Sequence, residues 1–212
     1  LTTFNKMNFR QTIRTLKPCV FLLTTILISC NNNSTMDKKY SELTEKDYEH
    51  KVDTVDGEEI YFKTAVSASV PQDFTNLGTS QKLFVKHCLE GADTLIRKYQ
   101  PNANIDNYTP QTLDNIIDLW NKDSTKFTCS ENYFVNTIGT AFGQFLVKTY
   151  KMKWSMVTDE YGTDYATTIK ELNLSNFPLN SIAKAIEQKR EGSLQQISLI
   201  TKKQIIELKN EK

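Results

Sequence analysis

Three carboxylates, Asp159, Glu160 and Asp164, stand close around one glycine, Gly162. Oxygen ligands about a glycine turn are the chemistry of hard cations such as calcium. The twelve-residue spacing and closing glutamate of a calcium loop are missing, so the cluster reads as a solvated turn and no metal is expected. With Tyr161 at its centre, the same stretch is the candidate contact surface, because tyrosine supplies contact area at low entropy cost. His50 and His87 are the only histidines. His87 precedes Cys88, and helical neighbours point in different directions, so the two form no compact nucleophile pair or ligand set. Cys88 and Cys129 are a candidate disulfide; closing that loop of about 41 residues would stabilise the fold by roughly 4 kcal/mol. The alternative is that Cys88, on an apolar helix face, acts as a small hydrophobe. Asp114 and Asp118, four apart on a helix, are expected to face solvent rather than to act as acid and base. The chain has no glycine-rich phosphate loop, serine elbow or paired zinc-type cysteines. No catalytic residue is assigned and no cofactor is expected.

The elements that must position these residues follow from periodicity. Val-Asp-Thr-Val, Asp56-Gly57 and Glu-Glu-Ile-Tyr-Phe predict a hairpin over 51–63, because the tight turn needs positive φ. Residues 65–78 read as irregular, with Pro71 and Gly78 as breakers. Phe84, Cys88, Ala92, Leu95, Ile96 and Tyr99 mark a helix over 80–99. Thr109-Pro110 caps a second helix carrying Leu113, Ile116, Ile117 and Trp120. Ser130 caps a third, 131–150, whose wide apolar arc makes it central to the core. Within it, Gly139-x-x-x-Gly143 is expected to mark a close approach to a neighbouring element. Alternation then predicts a second hairpin over about 153–170 with a longer loop, Gly162 taking the left-handed position. Two more helices follow, over about 180–190 and from a cap at Ser193. The pattern describes an α+β, helix-rich single domain with a small antiparallel sheet.

The start of the chain has its own pattern. Arg10, Arg14 and Lys17 precede an uncharged, mostly apolar run from Pro18 to Ser29, about half the length of the ~20 residues a spanning helix needs. It ends in Leu27-Ile28-Ser29-Cys30, which resembles a bacterial lipoprotein lipobox. That resemblance implies a signal over 1–29, with residues 1–6 upstream of the true start at Met7, and lipidation of Cys30. Several acyl chains would anchor the protein stably. Asn31 stands where an inner-membrane retention aspartate would be, which favours the outer membrane, facing the periplasm. Residues 30–50 read as a lipid-anchored tether and 51–212 as the globular domain. Four of the 26 basic residues and none of the 25 acidic ones lie in the signal, so the remainder is mildly acidic and nucleic acid is not an expected partner.

Ile138-Gly139-Thr-Ala-Phe142-Gly143-Gln-Phe-Leu146-Val147, then Trp154, then Asp159 to Asp164, resemble domain of unknown function 3806. Phe177-Pro178, the helix with Ile182 and Lys184, and Gly192 before a final helix continue the resemblance, which covers about 79–208. The family is uncharacterised, so the resemblance implies no substrate and no catalytic residues. The function expected is that of a lipid-anchored, non-enzymatic interaction module with an envelope protein as partner. A hydrolase acting on an envelope polymer through Asp159, Glu160 and Asp164 is one alternative, and an immunity-type protein that neutralises a toxin is another.

Overall fold

Phe134, Ile138, Phe142 and Leu146 are fully buried along one helix, and the rest of the domain is arranged around it. The computed structural model describes Lys38 and residues 42–65, 70–104 and 108–210 of the 212. The predicted signal and Cys30 lie outside the described residues.

The central helix is α3, Glu131–Tyr150, started by the Ser130 hydroxyl accepting the Tyr133 N–H at 3.3 Å. α1 (Thr79–Tyr99), α2 (Pro110–Lys122), α4 (Pro178–Glu187) and α5 (Ser193–Asn210) are the other helices among the described residues. α2 begins as its sequence predicts, with Pro110 in the first turn and the Thr109 hydroxyl accepting from Thr112. Leu113, Ile116 and Ile117 of α2, Ile96 of α1, Ile182 of α4 and Leu194 of α5 meet α3 in one core. Trp120 stacks on Phe134 at 4.2 Å between ring centres, and Phe127 closes the cluster against Tyr99 at 4.1 Å.

The two α3 glycines sit where a side chain would collide. A Cβ on Gly139 would come within 2.7 Å of the Leu179 backbone, and one on Gly143 would overlap the Trp154 ring. The glycine spacing thus lets α3 approach α4 and the sheet, as expected.

The strands form two separate antiparallel sheets. β1 (Glu49–Val55) and β2 (Glu58–Thr64) make the first hairpin, with Asp56 and Gly57 both at positive φ (55° and 83°). The second sheet runs in the order β3 (Asp73–Asn76), β4 (Lys153–Asp159), β5 (Gly162–Ile169), β6 (Leu174–Asn176). The architecture is the predicted α+β, helix-rich arrangement.

Three expectations need correction. Part of the stretch read as tether is structured: Tyr48 is buried, and the Asp47 carboxylate accepts the Thr44 N–H and hydroxyl at 2.7 Å each. Such local side-chain bonds carry no hydrophobic period. The stretch 65–78 holds a short strand, β3, whose order comes from pairing with β4 rather than from its own four residues. The second hairpin has no long loop, because pairing continues to Asp159 and Gly162 and leaves a two-residue turn.

Candidate functional site

The acidic turn at the tip of β4–β5 is held by its own backbone and by two neighbouring amide side chains. The Asp159 carboxylate accepts the Tyr161 N–H at 2.9 Å and the Gln72 amide at 3.3 Å. The Asp164 carboxylate accepts from Asn180 of α4 at 3.2 Å. Each of these two carboxylates therefore has its own polar partner, and Asp164 lies opposite Val157, further along the strand than Asp159 opposite Gly162. No set of three or more His, Cys, Asp or Glu side chains able to hold a metal occurs among the described residues. Tyr161 stands 56% exposed on this turn.

The candidate disulfide is not formed: Cys88 and Cys129 are both free thiols. Cys88 lies in the middle of α1, and burial pushes its thiol up, partly offset by the Thr140 hydroxyl. Cys129 packs on the core near Lys98, whose ammonium reaches Thr128 at 3.1 Å. Cys88 and Lys98 are ten residues apart, or about 15 Å along the helix. A disulfide tolerates a Cα separation of only about 7 Å.

Asp114 overturns the solvent-facing reading. It is 1% exposed, and its two oxygens accept the N–H groups of Leu194 and Gln195 at 2.9 and 3.0 Å. A carboxylate from α2 thus caps α5, in place of the expected cap at Ser193, which is itself helical. Burial pushes the Asp114 carboxyl up to about 6, partly offset by the two backbone bonds. Asp118, one turn on, is also raised by burial and by Glu191, and its Oδ1 is buried without a hydrogen-bond partner among the described residues. Only the fold brings this carboxylate to α5, because residues 114 and 194 are eighty positions apart.

The cap fixes one wall of a groove. Ser193, Gln196, Ile197 and Ile200 of α5 form that wall and the floor, and the opposite wall comes from the β1–β2 hairpin. The cavity measures about 360 Å³, within the size range of small-molecule sites. Val52 and Tyr61 line it and are direct cross-strand partners, 60% and 63% exposed. Lys51, Lys63, Arg190 and Glu191 give it a charged rim. The hairpin is held to α5 at its outer edge, where the Tyr61 N–H donates to Gln196 Oε1 at 3.2 Å and the Gln195 amide donates to Glu58 at 2.8 Å. Val55, Ile60 and Ile200 make a small second core beneath it. Lys202 and Lys203 of α5 pair with Asp56 and Asp53. Sequence reasoning missed this groove. Its one local signal was the exposed apolar pair on the 51–63 hairpin.

The family model for DUF3806, a domain of unknown function, matches residues 113–197. The match runs from α2 into the first turns of α5 and is narrower than the 79–208 expected. It takes in Arg190, Glu191, Ser193 and Gln196 of the groove and leaves out the hairpin wall. A crystal structure of a Bacteroides thetaiotaomicron VPI-5482 protein is similar at a TM-score of 0.46 and 9% identity, covering 71% of this chain and 68% of that one. No curated protein matches the chain. Among the described residues no helix is long and apolar enough to cross a membrane.

Proposed function

We propose that this chain is a lipid-anchored protein of the bacterial cell envelope. Acyl chains on Cys30 hold it to the outer membrane, facing the periplasm. Its globular domain binds an envelope component there without transforming it. The anchor rests on the basic-apolar-lipobox order of residues 10–30.

The binding role rests on one observation. Val52 and Tyr61 are exposed, opposite one another, and beside a groove with a buried apolar floor. An exposed apolar pair beside a concavity is the kind of surface that binding sites use. The preorganised Tyr161 turn is a second contact surface of the same module.

A photo-reactive amino acid placed at Tyr61, at Tyr161 or at the exposed control Glu131 tests this in living cells. Adducts from the first two positions and none from the control support the reading. Equal adducts at all three, or none at all, overturn it. Metabolic labelling with an alkyne fatty acid, lost on Cys30→Ala, tests the anchor separately.

A further inference from the structure

We infer that β1 is an interface between copies of this chain: its open edge pairs antiparallel with the same edge of a second copy, about a two-fold axis at Val52.

The two edges of the β1–β2 hairpin differ. The Val55–Glu58 pair closes the tight turn, and hydrogen bonding alternates from there. Residues 50, 52 and 54 of β1, and 59, 61 and 63 of β2, therefore aim their backbone groups outward. On β2 that edge is closed. The Gln196 side chain accepts the Tyr61 N–H at 3.2 Å and donates to the Glu59 carbonyl at 3.4 Å, as a neighbouring strand would. On β1 the Thr54 N–H turns back to the Asp53 carboxylate at 2.7 Å. The Val52 N–H and carbonyl have no hydrogen-bond partner among the described residues. An open edge of this kind is a template for another strand.

The occupant follows from the order of residues along β1. Val52 is the middle of the seven-residue strand, so a two-fold axis there pairs every position. An axis at His50 or Thr54 would pair only three. With the axis at Val52, Lys51 falls opposite Asp53 of the second copy, and Asp53 opposite its Lys51. Edge charges of one sign keep copies apart; these are opposite in sign and meet directly. Lys51 is held only by an exposed pair with Glu49 at 3.0 Å, which is worth little. Asp53 accepts from Lys203 of α5 and keeps 44% of its side chain open to a second donor. On the outward face one row then runs Tyr61, Val52, Val52, Tyr61 across four strands, so each exposed valine gains an apolar neighbour. Pairing along one short edge makes a small interface, and the proposed anchor at Cys30 would supply the concentration it needs by holding copies on one membrane.

The test is made on the full chain in living cells. Val52→Cys and Tyr61→Cys are each oxidised with copper phenanthroline, beside the unsubstituted chain. Across the axis the two residue-52 Cα atoms stand about 5.5 Å apart, within disulfide range, whereas the two residue-61 positions are three strand spacings, about 14 Å, apart. The expected result is a disulfide-linked homodimer with Val52→Cys, and with Tyr61→Cys no more than the unsubstituted chain gives. Val52 and Tyr61 are 60% and 63% exposed, so cysteine at either position should leave the melting temperature of the purified protein unchanged. Adding Lys51→Asp to Val52→Cys sets like charges opposite one another on both sides of the axis and should lower the yield about tenfold. Equal linkage at positions 52 and 61, no linkage at 52, or linkage of Val52→Cys to a different protein alone overturns the pairing. An unchanged yield with Lys51→Asp overturns the register. The fatty-acid label at Cys30 reads the anchor on its own, so its failure is told apart from that of the pairing.

Discussion

The two hairpins of this protein look alike in sequence and are held in opposite ways. β4–β5 is inside a four-stranded sheet and packs on α3 through Trp154, whose indole N–H also donates to Gln144 at 3.3 Å. Among the described residues β1–β2 pairs with no other strand. It is fastened to α5 by three apolar residues, two glutamines and two lysine–aspartate pairs. An isolated two-stranded hairpin is marginal in water, so nearly all of the order in β1–β2 comes from α5. β4–β5 belongs to the scaffold; β1–β2 is a wall fastened to α5, and it forms one side of the groove. The matched family region contains β4–β5 and not β1–β2.

Overpacking α3 is the harshest way to probe this contrast. Gly143→Val would drive a side chain into the Trp154 indole and the Pro178 ring, and should cost about 3 kcal/mol, because rigid rings packed against α3 have little room to move aside. The whole domain should lose its thermal stability in one transition. A variant that loosens only β4–β5 would break the comparison.

Asp114 comes next, since it fixes the end of α5 that carries the other hairpin. Its carboxyl titrates at about 6 in the fold against an ordinary 3.8, so the folded chain holds that proton more tightly than the unfolded chain. The stability this supplies is fully present below pH 3.8 and is lost as pH rises through about 6. Relative to Asp114→Asn, the native chain should therefore lose on the order of 3 kcal/mol across that window. Urea unfolding at several pH values measures the difference, and parallel curves for the two proteins would contradict it.

Ile60→Ala should act locally. Ile60 is fully buried in the small core under the hairpin; its truncation should cost about 2–3 kcal/mol. Amide exchange should rise over 49–64 while β4 and β5 keep their protection. Loss of protection in both sheets would mean that the hairpin is part of the scaffold after all.

Tyr161→Ala is the mildest change. At 56% exposure it should alter stability by less than about 0.5 kcal/mol, and calorimetry can check this. Normal partner capture by that stable variant would leave the groove as the sole contact surface.

Much of this fold was legible in the chain itself. The stripes of α1, α2 and α3 appear at helical spacing because each buries one continuous face. The Thr109 and Ser130 caps and the Asp56-Gly57 turn are local devices, closed within a few residues, and so they can be read without knowing the fold. Gly139 and Gly143 announced a close approach, though not that Leu179 and Trp154 would be the neighbours.

The candidate site was far less legible. β3 takes its conformation from β4, eighty residues on, and four residues carry too little period of their own. Asp114 resembles any exposed helical acid until α5 places two N–H groups against it, and Cys88 and Cys129 resemble a pair until α1 holds them apart. The groove needs α5, its cap from α2 and the hairpin together. Sequence alone determined the five helices and the two hairpins with the apolar face of each, because hydrogen bonds along the backbone and hydrophobic period act locally. Only the tertiary structure decided which polar groups are buried and which surfaces meet, because those depend on contacts between residues far apart in the chain.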